Sequence, residues 1–328
     1  MQDIGASAAL YPFAYDRAQD RLMLVPMDAD AYREASFLDA RLGRTGRWFS
    51  AASIEAALAD GHEVRPLHFI FHAGHVGSTL LSRLLDQAEG VLSLREPMPL
   101  RELAEAHDSG DPAFASRLEL LMKLWERGFP ETRTVIVKAT SATQRIGAAL
   151  LRARPAAKAV ALNVCAETYL ATMLAGENSA GDLNALGPER WGRLQRLLGK
   201  PVPAPNNLGE LIAMSWAAES LTQQDLIGEF GARVLAIDFD EMLETPAEFI
   251  AAVLDHFQIE GDAHAIAESS VTRSYSKAPE HAYSSELRAR LLEQARTAYA
   301  PEISQALSWL NTLSLPENAR PLRQIATN

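Results

Sequence analysis

LHFIFHAGHVGSTLLSRLL, residues 67–85, carries the strongest structural signal in the chain. Leu67 to Phe71 is a short apolar run of the kind that forms a buried strand. Gly74-His75-Val76-Gly77 reads as a tight turn, and Ser78 and Thr79 open a segment with Leu80, Leu81, Leu84 and Leu85 at helical spacing. A strand, a glycine turn and a helix N-terminus in succession make an anion site. Free backbone N–H groups point outward, the helix dipole adds partial positive charge, and glycines permit close approach. Gly74, His75, Val76, Gly77, Ser78 and Thr79 are therefore the candidate phosphate-binding residues. The common nucleotide loop, GxxxxGK[ST], places a lysine directly before the hydroxyl residue. Here Ser78 follows Gly77 at once, so that lysine is missing and an ordinary ATPase or GTPase is disfavoured. A glycine turn without a ligand is the alternative.

Around this stretch, apolar runs recur at Val91–Leu94, Thr134–Val137, Lys158–Asn163 and Arg233–Phe239, with helical periodicity between them. Strands alternating with helices predict a layered α/β fold, with a central, mostly parallel sheet of about five strands flanked by helices. Residues 1–62 are expected to form a separate cover. Tyr11, Phe13 and Tyr15 face Leu22 and Leu24 in a hairpin, and 29–60 is expected to be helical. Residues 63–328 make the main domain. Within it, 177–206 is rich in glycine and proline and reads as an irregular excursion with one short helix near Arg190–Leu198. Asp111-Pro112 is expected to cap a helix running to Arg127. Thr245-Pro246-Ala247-Glu248 reads as a capping box with proline at the first helical position.

The 328 residues are 48% hydrophobic, enough for a large core, and carry 31 basic against 42 acidic side chains, a net charge of −11. That balance gives no general attraction to nucleic acid or anionic membranes, so any anion site must be a local pocket. Cys165 is the only cysteine, which rules out an intrachain disulfide and fits a reducing compartment. With no signal-peptide pattern and no apolar run near the roughly 20 residues needed to span a bilayer, a cytoplasmic protein is expected. The histidines show no HExxH-like spacing, so no metal is expected.

His75-Val76-Gly77-Ser78-Thr79-Leu80-Leu81 resembles the RSGTTLL or KSGTTW loop of the sulfotransferases, and in particular of bacterial sulfotransferase-like proteins. The resemblance implies a three-layer, P-loop NTPase-like fold and use of PAPS (3′-phosphoadenosine 5′-phosphosulfate), with PAP as product and no metal. Gly77, Ser78 and Thr79 match the family's Gly-Thr-Thr, whereas His75 stands where the family has Arg or Lys. A bound anion would favour its imidazolium form. Arg95-Glu96-Pro97 resembles the family's REP segment, and Glu96 then corresponds to the base that takes the acceptor's proton. Its alternative is a surface carboxylate paired with Arg95 or Arg101. Lys138, ending the third predicted strand, falls where the family has a lysine that assists the leaving group; its alternative is a solvated strand end. Where the family has Arg-(Asp/Asn)-Pro and then a serine for the 3′-phosphate, this chain has Asn163 and Thr172. Arg273 and Lys277 are candidate 3′-phosphate cations, or else part of a basic surface loop. The acceptor, a small molecule or peptide with a hydroxyl or amine, is not readable. A P-loop kinase or NTPase and a non-catalytic nucleotide-binding protein remain the alternatives.

Overall fold

A computed structural model describes residues 4–59, 61, 64–176, 179–275, 278–282 and 284–316. The chain begins with strands β1 (Leu10–Asp16) and β2 (Arg21–Pro26), helix α1 (Ala29–Glu34), β3 (Arg47–Ser50) and α2 (Ala51–Ala59). The glycine-turn stretch follows as β4 (Leu67–His72) and α3 (Ser78–Leu85). Then come β5 (Val91–Arg95), α4 (Pro99–Asp108), α5 (Phe114–Trp125), β6 (Thr134–Lys138), α6 (Gly147–Ala153), β7 (Ala159–Asn163) and α7 (Ala166–Ala175). The remainder is α8 (Ser179–Leu198), α9 (Leu208–Phe230), β8 (Val234–Asp238), α10 (Phe239–Glu244), α11 (Pro246–Phe257), α12 (Ala263–Ala267), α13 (Ser285–Ala298) and α14 (Ala300–Thr312).

The five expected strands form one parallel sheet in the order β5-β6-β4-β7-β8. Strands buried on both faces read as continuous apolar runs, which makes them legible in sequence. Period two sorts their side chains into two cores. Ile70, Ile136, Val160 and Leu162 pack with α3, α7, α9, α11 and α14 on one face. Phe69, Phe71, Val135, Val137, Ala159 and Ala161 pack on the other with α4–α6 and the N-terminal strands. The sheet is thus the middle of three layers. No helix among the described residues is long and apolar enough to cross a membrane.

Several local expectations are corrected. The β1–β2 hairpin is present, but 29–60 is not uniformly helical: Arg47–Ser50 pairs antiparallel with Arg21–Leu24 as a third strand. The excursion expected at 177–206 is mostly a 20-residue helix, α8, with Pro188 inside it. Pro188 and its glycines oppose helix formation locally, but Leu183, Arg190, Arg193 and Leu194 are buried, and packing on α9 overrides propensity. Asp111 accepts from the amide of Ala113 at 2.9 Å in the turn before the helix, but the N-cap is Ala113, which makes no side-chain cap bond, so the expected cap is not formed and the helix runs Phe114–Trp125. Thr245 makes no side-chain cap bond, so the capping box is not formed, although Pro246 occupies the first turn of α11.

Candidate anion-binding cleft

Helices α3 and α6 leave adjacent strands β4 and β6 toward opposite faces of the sheet. The carboxyl edge of the sheet is where open α/β sheets place ligands, and the cleft here opens on the α3 side of that edge, against α7 and α13. The chain turns there at Gly74, His75 and Gly77, with φ of 95°, 55° and 75°. Gly77 caps α3 in the left-handed conformation, and a Cβ there would sit 2.0 Å from Cε2 of Phe239. Glycine is required on both counts.

The Gly74 amide is already taken, donating to Nδ1 of His72 at 3.1 Å. Farther round the turn the α3 N-terminus opens into a cleft of about 550 Å³, lined by His75, Val76, Gly77, Ser78 and Thr79. Thr79 is 2% exposed, lines this cleft, and its Oγ1 has no hydrogen-bond partner among the described residues. An unpartnered buried hydroxyl costs stability unless a ligand supplies the missing bond. Ser78 is also buried, while His75 is exposed at the rim.

Glu96 lines the same cleft. It follows β5 directly and holds a left-handed φ of 57°, its amide donating to the Lys138 carbonyl at 2.7 Å. Lys138 Nζ is ion-paired with Glu96 Oε1 and lies 5.7 Å from the centroid of the Phe37 ring. Lys138 is fully buried, so it is no solvated strand end. Burial pushes its ammonium below the ordinary lysine range, and the Glu96 carboxylate opposes that shift. Lys138 is not among the lining residues; it sits behind Glu96 and holds it. Arg95, the neighbour considered above as a partner for Glu96, is occupied elsewhere. It pairs with Asp86 and donates to the carbonyls of Tyr32 and Ala35 at 2.9 and 2.7 Å, tying α1 to β5.

Thr172 also lines the cleft, but its hydroxyl donates to the Thr168 carbonyl at 2.8 Å. Asn163 is not brought to the cleft. Its side-chain amide donates to Ser220 Oγ and Gln223 Oε1, both at 2.9 Å, inside the core against α9. No local sequence signal distinguishes a strand-end asparagine that turns inward from one that faces the cleft. The Arg273 side chain and Lys277 lie outside the described residues. Sequence reasoning missed the far wall altogether. It is formed by Phe239, at the start of α10, and by α13, which contributes Arg288, Leu287, Leu291 and Leu292. Arg288 is the only lysine or arginine among the described lining residues. No group of three or more His, Cys, Asp or Glu side chains among the described residues is arranged to hold a metal.

No family model matches this chain, and no curated protein matches its sequence. Solved structures with a similar fold include the sulfotransferase domain of the Synechococcus PCC 7002 olefin synthase (14% identity, TM-score 0.41, covering 78% of this chain and 97% of that one). Sulfotransferase STF9 from Mycobacterium avium matches at 11% identity and TM-score 0.42, over 75% and 81% of the two chains. Sulfotransferase STF1 from Mycobacterium tuberculosis H37Rv matches at 15% identity and TM-score 0.41, over 76% and 80%.

Proposed function

We propose that this protein is a sulfotransferase-like enzyme that moves a sulfuryl group from PAPS to a hydroxyl or amine acceptor. One observation carries the reading: a carboxylate held by a buried lysine, Glu96 on Lys138, shares a cleft with a glycine-turn helix N-terminus that lacks a lysine. The residues at the 5′ end fit such a donor. The α3 N-terminus and the orphaned Thr79 hydroxyl supply donors, and Gly77 leaves room for the approach. When bound, PAPS supplies the sulfuryl group and a phosphate able to depart with the bridging electron pair. The α3 N-terminus steadies the negative charge on that phosphate. Glu96 takes the acceptor's proton as the new bond to sulfur forms. Lys138, with one Glu96 oxygen on its ammonium, keeps the carboxylate aimed and charged. A sulfuryl group carries less negative charge than a phosphoryl group, so the loop lysine of nucleotide triphosphatases is less needed.

Thermal denaturation with PAP, PAPS, ATP-Mg²⁺ and sulfate tests this. PAP without metal is expected to stabilise the protein, by about 2.7 kcal/mol at a hundredfold excess over its dissociation constant. A response to ATP-Mg²⁺ alone would replace this reading with a kinase or NTPase. Silence to all four would leave a protein that binds no such nucleotide.

A further inference from the structure

Arg288 lies on α13, about 210 residues beyond the loop in sequence, yet it faces the same cleft. Its guanidinium stands over the Phe239 ring, 5.1 Å from the centroid, and the edge of that ring meets Gly77. Phe239 therefore spaces a permanent cation from the turn that lacks one. Arg288 is ion-paired with Asp240, Nη2 to Oδ1 at 2.6 Å, and the two side chains are 21% and 34% exposed. Asp240 has a second neighbour, accepting from Thr168 Oγ1 at 3.1 Å. A pair this exposed contributes little to stability. Asp240 meets the guanidinium through one oxygen, its other being taken by Thr168, whereas a phosphate can accept both arms of the fork and carries more charge.

We propose that Arg288 is a ligand-binding residue that leaves Asp240 for a phosphate of the nucleotide, supplying from α13 the cation that the glycine turn omits. This uses the same cleft as the proposed function and depends on that cleft binding anions. It further implies that α13 is drawn toward α3 when ligand binds, because the exchanged bond spans the two helices.

Calorimetric titration of the full chain with PAP, AMP and pyrophosphate, for wild type, Arg288→Ala, Arg288→Lys and Asp240→Asn, separates the possibilities. Arg288→Ala is expected to weaken all three by about tenfold or more, with Arg288→Lys intermediate. Asp240→Asn is expected to bind at least as tightly as wild type, because it releases Arg288. If Arg288 is merely a strut between α13 and α10, Arg288→Ala and Asp240→Asn weaken binding alike, and the proposal is overturned. Equal affinity of wild type and Arg288→Ala for PAP overturns it while leaving the nucleotide reading intact. Pyrophosphate binding that depends on Arg288, with no preference for PAP, keeps Arg288 but sinks the PAPS reading. No binding of any probe by wild type removes both.

Discussion

Glu96 and His75 hold φ angles of 57° and 55°, a region that side-chain-bearing residues seldom occupy. Each such residue costs on the order of 1–3 kcal/mol and persists where its surroundings over-determine it. Both line the cleft, so the strain lies where chemistry is proposed. Glu96→Gln keeps shape and hydrogen bonding but cannot take a proton. Turnover is expected to fall about 10²–10⁴-fold while PAP affinity, measured by calorimetry, stays level; unchanged turnover would remove Glu96 from the mechanism. Thr79→Val separates binding from folding. It deletes a buried hydroxyl without a partner among the described residues, so the unliganded protein should be as stable or more stable. Yet PAP affinity should fall by about tenfold, roughly 1.4 kcal/mol. A loss of stability with no change in affinity would show that the hydroxyl serves the fold and not a ligand.

Helix α3 owes its placement to both its leucines and its entry turn. Leu80, Leu81, Leu84 and Leu85 anchor it to one face of the sheet, and Gly77 lets the chain enter it through a left-handed turn. Alanine at 77 would have to keep a φ of 75° and displace the Phe239 ring. Gly77→Ala should therefore lower Tm by several degrees, from a strain of about 1–2 kcal/mol plus the ring movement. Adding Phe239→Leu should recover the part due to the ring and not the part due to φ. A Gly77→Ala protein with wild-type Tm would show that the turn tolerates another conformation.

Across the whole molecule, two buried ionisable groups tie stability to pH. Burial alone would push the Glu219 carboxyl up, but the Arg193 and Arg190 guanidiniums overcome it and hold it down to about 2. Those arginines sit on α8 and Glu219 on α9, so the network clamps the helix whose glycines and proline suggest an irregular loop. His68, in β4, is stacked on Phe257 and pushed down to about 4 by burial. Both groups bind fewer protons folded than unfolded in a defined window. For His68 that window runs from about pH 6.5 down to 4, and for Glu219 from about 4.3 down to 2. Stability should be full above the upper limit and fall as pH drops through each window, by on the order of 3 kcal/mol apiece. Denaturant titrations at pH 7, 5 and 3 should show this, with His68→Leu less stable at pH 7 but flatter between 7 and 5. An unaltered slope in that variant would assign the acid sensitivity elsewhere.

The parallel sheet, the glycine turn and the start of α3 are all readable from the chain before any folding is considered. Each is written in a few consecutive residues: apolar β-branched runs, Gly74 and Gly77, and leucines at helical spacing. Glu96 and Lys138 can also be picked out singly, as polar residues at strand ends. Their partnership, the inward turn of Asn163 and the closing of the cleft by Arg288 emerge only in three dimensions. So do the helical course of the chain through Pro188 and the strand at Arg47–Ser50. These outcomes depend on contacts between segments far apart in the chain. Local propensity and spacing do not encode them, because the energy that settles them comes from packing and charge pairing that exist only once the layers have met.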